Sequence, residues 1–455
     1  MADRKVLLVS YHFPPDLAVG ALRPAKTAKY LAQLGWQPYV LTVKDRYHRH
    51  RDDGRLADVD GIPVIRTAVW PTVSQLVLGI RNVVRGWWRR RPDAPRAAAG
   101  RTNGARSREP ARREGLLQTL RRYVDSLLEL PDKQIGWLPP AVWTGYRVIR
   151  REGIGLIITS SPPATTALVG LALSWLADAK LVTDLRDPWY SPLGRPAHSS
   201  SALSDALQRG LERRIMKRSS RVVTTTEHYR QFLAATYPEL PPDRLCTIWN
   251  GYDPEVFETL EPATDRDGTF TIAYVGTFYH GRTPKEVLRA AAELVEEGAV
   301  GLADLRISLI GDVRYAEGES VEELARAHGL AGSVAIQGPV PHRVALQHMK
   351  EADVLLLLAP DQYYCVPAKT FEYLAAGRPI LCVAREGATA ALIRQTGAGV
   401  VVEPGDVAGV KHALRRWLLE HRNGDRREQV ADLSRYERRR LAQDLARVLE
   451  TCLQN

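Results

Sequence analysis

The sequence predicts an α/β protein built from doubly wound parallel sheets. Short apolar runs recur along the chain, among them Lys5–Ser10, Leu156–Thr159, Phe270–Val275 and Val354–Ala359, as expected of strands buried on both faces. Amphipathic helical stretches alternate with them, which is the order of βαβ units. The length, 455 residues, allows two or three domains with ample cores.

Bulk properties narrow the class. Four cysteines, Cys246, Cys365, Cys382 and Cys452, occur without CxxC or metal-ligand spacing. That pattern points to a reducing compartment and away from a disulfide scaffold or a zinc site, so no metal is expected. The chain opens directly into a strand instead of a signal peptide, and no apolar run reaches the roughly 18 residues of a spanning helix. A cytoplasmic protein is expected. The net charge of +11 is concentrated in arginine clusters at about 81–122. No nucleic-acid-binding motif accompanies them, so no nucleic-acid partner is expected. An anionic lipid, an anionic substrate or plain solvation would each suit such a segment.

Taken in order, Lys5–Ser10 is the first strand. HFPPDLAVGALRPAKTAKYLAQLG then supplies a loop with Gly20 and a helix carrying Ala25, Ala28, Leu31 and Leu34 on one face. Tyr39–Val43 completes a βαβ unit whose glycine loop lies at the strand's C-terminal end, where doubly wound sheets bind ligands. The loop lacks GxGxxG, so a dehydrogenase-type dinucleotide site is unsupported. Gly61–Thr67 reads as a strand. Beyond it, LVLGIRNVVRGWWRRR and the Arg-, Ala-, Gly- and Pro-rich stretch that follows read as an excursion, with helical periodicity returning at 116–130. Trp beside arginines is the composition of a monotopic membrane contact, and 76–122 is the candidate for one.

Leu156–Thr159 and Lys180–Asp184 are the next strands. The second delivers Asp184, Arg186 and Asp187 at its end, either as a cleft feature or as a self-neutralised structural network. A helix to about Arg218, a strand at Arg221–Thr225, a helix and a strand at Arg244–Trp249 complete the first half, 1–253. Pro, Glu and Asp accumulate at 254–268, the expected linker. The second half, 269–435, alternates Phe270–Val275, Leu305–Ile310, Val334–Gln337, Val354–Leu358, Ile380–Val383 and Gly399–Val402 with helices, and reads REGATAA (385–391) as a loop. A last helix, 436–455, is expected to cross back to the first half.

The stretch Cys365–Pro379, CVPAKTFEYLAAGRP, carries the chemistry. It follows a buried strand and places Lys369 and Glu372 three apart at the start of a short helix, on one side. A helix start after a parallel strand favours anions. There a lysine meets a phosphate, and a carboxylate one turn on accepts from ribose hydroxyls. An ordinary surface Lys–Glu pair has the same spacing.

Pro367–Pro379, PAKTFEYLAAGRP, resembles the donor-site signature of retaining glycosyltransferases of family 4, in the GT-B group that uses nucleotide sugars. TSSPP followed by DLRDPW, and NGYDPEVF before the linker, are similar to stretches in the same family. The resemblance implies a GT-B fold, two Rossmann-like domains facing a central cleft, with an acceptor-side first domain and a nucleotide-sugar-binding second one. It implies that Arg282, Lys285 and Lys369 clamp the donor diphosphate and that Glu372 fixes the ribose. Gly20 and Gly276 would let backbone approach the donor, and Gly338 and Val340 would meet the nucleobase. His12 and Asp187 both stand where they would contact sugar or acceptor, and the sequence does not choose between them. Many members carry a first glutamate at the position of Tyr364, so the sugar ring must be held differently here.

The implied activity is retaining transfer from a UDP- or GDP-sugar, without a metal or other cofactor, to a small-molecule, glycan or lipid-linked acceptor, the last reached by peripheral contact with the inner membrane face. A nucleotide-sugar epimerase of the same fold and a non-catalytic nucleotide-sugar-binding protein remain open alternatives.

Overall fold

The computed structural model describes residues 4–72, 75, 130–189, 202–260, 268–279, 281–424 and 432–454. The arginine-rich stretch and the proposed membrane contact at 76–122 lie outside them. Two parallel sheets organise the rest. The first comprises β1 (Lys5–Val9), β2 (Gln37–Val43), β3 (Val64–Thr67), β4 (Leu156–Ser161), β5 (Lys180–Leu185), β6 (Arg221–Thr224) and β7 (Leu245–Thr247). Their spatial order is β3-β2-β1-β4-β5-β6-β7, and neighbouring strands run parallel. The second comprises β8 (Phe270–Thr277), β9 (Leu305–Asp312), β12 (Val334–Gln337), β13 (Val354–Leu358), β14 (Ile380–Val383) and β15 (Gly399–Val402). It is ordered β12-β9-β8-β13-β14-β15. All residues of β4 and β13 are buried, which is why these strands read as unbroken apolar runs instead of alternating ones.

Each sheet reverses its direction of growth once, at β1/β4 and at β8/β13. Such switch points open a crevice at the C-terminal strand ends, because successive connections leave on opposite faces.

Helices cover the sheets. In the first half these are α1 (Leu22–Gln33), α2 (Leu138–Glu152), α3 (Ala164–Leu176), α4 (Ala202–Arg218) and α5 (Glu227–Thr236). α2 has no counterpart in the sequence reading, and it opens with Pro139 and Pro140. They sit in its first turn, where backbone N–H groups have no helical acceptor and proline removes nothing. The expected linker begins as a short helix, α6 (Pro254–Glu258), again with proline at its start.

In the second half, α7 (Lys285–Glu296), α8 (Val321–Ala327), α9 (His342–Glu351), α10 (Lys369–Ala375), α11 (Ala388–Thr396) and α12 (Val407–Arg422) follow in order. α11 starts inside the stretch expected to be a loop. A small hairpin, β10 (Tyr315–Ala316) with β11 (Glu319–Ser320), is also new. Its turn residues Glu317 and Gly318 both have positive φ, as a tight two-residue hairpin turn requires.

The last helix, α13 (Arg438–Gln454), packs on α1. Its Leu441, Leu445, Leu449 and Cys452 share one buried cluster with Val6, Leu8, Ile158 and Val182 of the first sheet. Just before it, Tyr252 and the 436–438 segment exchange backbone hydrogen bonds, Tyr252 N–H to Tyr436 O at 3.1 Å and Arg438 N–H to Tyr252 O at 2.9 Å.

One buried acid ties stability to pH. Glu212 on α4 is 2% exposed, and it accepts a hydrogen bond from the Tyr237 hydroxyl at 2.8 Å. Burial pushes its carboxyl from 4.5 up to about 7, with the Tyr237 bond opposing. Across that window the native state holds a proton the unfolded chain has lost, so stability falls as pH rises from about 4.5 to about 7. Glu212→Gln is expected to remove on the order of 3 kcal/mol of this dependence. Denaturant titrations across the window check it, and an unaltered slope in the variant would assign the dependence elsewhere.

Candidate active site

The loops at the C-terminal ends of β8, β12 and β13 bring most of the expected donor residues together. β8 ends through Gly276, whose φ is +144° and where a Cβ would lie 3.1 Å from the Lys369 ammonium. Both facts call for glycine. Lys369, the first residue of α10, is half-buried. Its Nζ donates to Val275 O at 2.9 Å and lies 3.6 Å from the centroid of the Tyr274 ring. Arg282 is 7% exposed, with its guanidinium 4.1 Å from the Tyr279 ring centroid. The Tyr274 hydroxyl donates to Thr277 O at 2.9 Å and interacts with Arg282. Two cations are thus seated on two aromatic faces, an attraction that partly replaces lost water.

Lys369 remains under electrostatic tension. Burial, and then the Arg282 charge, push the Lys369 ammonium well below its usual value, with Glu372 pulling the other way. A cation held like this has a strong electrostatic preference for an anion beside it.

One turn into α10, Glu372 Oε1 meets His342 Nε2 at 2.8 Å. His342 opens α9, directly after the loop containing Gly338 and Val340, so that loop and Glu372 border the same space. Lys285 goes elsewhere. Its Nζ pairs with Glu319 at 2.9 Å and Glu317 at 3.5 Å on the β10–β11 hairpin, and these carboxylates raise its affinity for a proton.

The first half presents its own strand ends. His12, after β1, has Nδ1 2.7 Å from Asp16 Oδ2. Burial opposes ionisation of Asp16, but hydrogen bonds from His12 and the Ala18 N–H hold its carboxyl below the usual range. Arg55 donates to the carbonyls of Asp16 and Ala18, and the charge of Glu372 reaches it from the second half. The His12 loop and Glu372 therefore border a common cleft.

The trio at the end of β5 separates. Asp184 is 4% exposed and forms a two-pronged pair with Arg23, at 2.9 and 2.8 Å. Arg186 turns to the carbonyls of Ser161, Pro162 and Gly20. Gly20 is thereby packed against a guanidinium. Asp187 is exposed and interacts with the Cys365 thiol of the second half.

Tyr364, at the position of the first glutamate, reaches across to the first half. Its ring packs on Phe232 with centroids 4.6 Å apart, and its carbonyl accepts from the Thr226 hydroxyl. Gly387 lets this loop lie close, because a Cβ there would be 2.7 Å from Tyr363 Cα. Ala388 N–H donates to Tyr363 O at 2.7 Å.

Sequence reasoning missed the aromatic seats Tyr274 and Tyr279, the Arg23–Asp184 pair and His342. The first two flank Gly276 in the sequence, and that proximity was the available signal. Among the described residues no group of three or more His, Cys, Asp or Glu is placed to hold a metal ion, and no helix is long and apolar enough to cross a membrane.

Residues 99–256 match the sequence profile of Glycosyltransferase Family 4, and residues 269–420 match that of Glycosyl transferases group 1. The chain belongs to the family 4 glycosyltransferases. No curated protein matches it. Among solved structures, this glycosyltransferase is similar to sucrose-phosphate synthase from Thermosynechococcus elongatus, with TM-score 0.64, 16% identity and 99% of each chain covered. It is similar to HepE of Anabaena, solved in complex with UDP, with TM-score 0.61, 15% identity, and 98% of this chain and 100% of that one covered. It is also similar to WaaG, a glycosyltransferase involved in lipopolysaccharide biosynthesis, with TM-score 0.55, 13% identity, and 98% and 99% covered. At these identities the likeness establishes the fold, which is GT-B.

Proposed function

We propose that this glycosyltransferase takes a sugar from a UDP- or GDP-sugar and transfers it, with net retention, to a small-molecule, glycan or lipid-linked acceptor. The seating of Lys369 and Arg282 at the end of β8 carries the reading. Two cations held close together, one of them electrostatically strained, suit a leaving diphosphate whose negative charge grows as the glycosidic bond breaks. Arginine's fork fits two phosphate oxygens and lysine acts as a point charge.

In this reading 269–435 binds the donor and 1–253 the acceptor, across the linker 254–268. Glu372, oriented by His342, accepts from the ribose hydroxyls, and the Gly338–Val340 backbone meets the base. His12 and Asp187 face sugar or acceptor. The paired state of Lys285 leaves the diphosphate to Arg282 and Lys369. The UDP complex of HepE, a protein of the same fold, supports a nucleotide-linked donor.

The Lys369 environment gives a test. A bound diphosphate raises the ammonium's proton affinity back toward its usual value, so binding takes up a proton at any pH between the free and bound pKa values. Affinity then falls as pH rises through that window. Calorimetric titration of UDP and of GDP, each in buffers of different ionisation enthalpy, should show this uptake for one nucleotide and lose it in Lys369→Met. Binding by neither nucleotide would overturn the donor assignment. Uptake that persists in Lys369→Met would move the coupled group elsewhere.

A further inference from the structure

The geometry points to the outer face of α2 and α3 as a docking surface for an anionic lipid bilayer. α2 buries Ala141, Gly145, Val148 and Ile149 toward the sheet. Its opposite stripe is Trp143, Tyr146, Arg147 and Arg150, spaced so that all four share one side of the helix. Trp143 is 64% exposed. α3 lies alongside on the same face of the sheet, close enough that a Cβ on Gly145 would lie 2.8 Å from Leu173 Cδ1. It ends in Trp175 and Leu176, 58% and 59% exposed.

Isolated exposed apolar residues are ordinary. Two open tryptophans, a tyrosine and a leucine on one two-helix layer are not isolated, and their chemical setting selects the partner. From Leu138 to Arg151 there is no carboxylate, and α3 has no charged side chain at all. Glu152, at the end of α2, is engaged by Arg151 at 2.7 Å and by the Tyr39 hydroxyl at 3.0 Å. Asp178, beyond Leu176, is exposed and lies 3.8 Å from Arg218. The face is therefore aromatic and basic.

Arg147 stands over the Trp143 ring, 4.7 Å from its centroid. That arrangement presents an indole to the acyl–headgroup boundary with a guanidinium at phosphate level. Indole rings favour this boundary, and arginines beside it are drawn to anionic headgroups. α2 also starts at the strand ends that border the cleft, since the indole N–H of the preceding Trp137 donates to Thr67, the last residue of β3, at 2.8 Å. A bilayer against this face would lie beside the cleft mouth. The inference stands on these two helices and is independent of the donor assignment.

The test is co-sedimentation of the full chain with vesicles of phosphatidylcholine alone and with phosphatidylglycerol added, at low and high salt. Binding is expected to the anionic vesicles, weakened by salt. Arg147→Glu with Arg150→Glu, and separately Trp143→Ser with Trp175→Ser, should each reduce partitioning at least tenfold. Thermal unfolding should be unchanged, because these side chains are exposed. Tryptophan emission should shift to the blue on binding in the wild type and in the arginine variant at saturating lipid, but not in the tryptophan variant. No binding to either vesicle overturns the inference. So does undiminished binding by both variants, which would place the contact outside α2 and α3, and so does equal binding to neutral vesicles.

Discussion

Lys369→Met is expected to slow release of nucleotide diphosphate from the donor by about 10²–10³-fold, the usual effect of removing one group that stabilises developing charge. Affinity for the nucleotide should drop about 10–100-fold, as expected for a charge-assisted hydrogen bond to phosphate. Stability should not fall with activity. The ammonium is desolvated and lies near Arg282, while the methionine side chain keeps most of the apolar stem that packs on Tyr274. A neutral side chain there relieves an unfavourable charge, so the melting temperature should hold or rise, the usual trade at a strained functional group. Steady-state assays of diphosphate release beside thermal unfolding separate the possibilities. Activity and stability lost together would make Lys369 a structural residue. Activity retained would take it out of the reaction.

Arg23→Ala is expected to have the largest effect on stability, a loss of about 3–5 kcal/mol. The guanidinium holds both oxygens of the buried Asp184 and also donates to the carbonyls of Ile248 and Trp249, at 2.9 and 2.7 Å. Its removal strands a buried carboxylate and two carbonyls together. Adding Asp184→Asn should recover part of the loss, because the stranded charge goes with it. By contrast, Arg394→Ala breaks an exposed pair with Glu386 and should leave the denaturation midpoint where it was. A single-variant loss no larger than that of Arg394→Ala would show that the Arg23 network is solvated in solution.

The sheets were legible because their central strands are buried on both faces. Such strands cannot alternate polar with apolar residues, and β13 and β14, buried throughout, fall at the residues expected, as do the less buried edge strands β12 and β15. Elements that depend on turn chemistry were harder to see. Pro139–Pro140 resembles a helix break and is a helix start. Gly387 suggested a loop but serves the close passage of Tyr363. In the site, Lys369, Glu372, Arg282 and Gly276 were reachable from one local stretch and one glycine turn, and the structure sets them on α10 and at the end of β8. Long-range pairings were not reachable. Nothing near Lys285 in sequence announces Glu317 and Glu319, and nothing near Asp184 announces Arg23, 161 residues away. Side-chain partners of that kind are decided by tertiary packing alone.

The seat of α13 bears on how the chain comes off the ribosome. When every strand of the first sheet has been synthesised, the groove that Leu441, Leu445 and Leu449 will fill is still open, and the whole second half must emerge before it closes. For that interval the nascent first half carries an uncovered apolar trough. The arrival of α13, instead of the end of its own sequence, completes its interior.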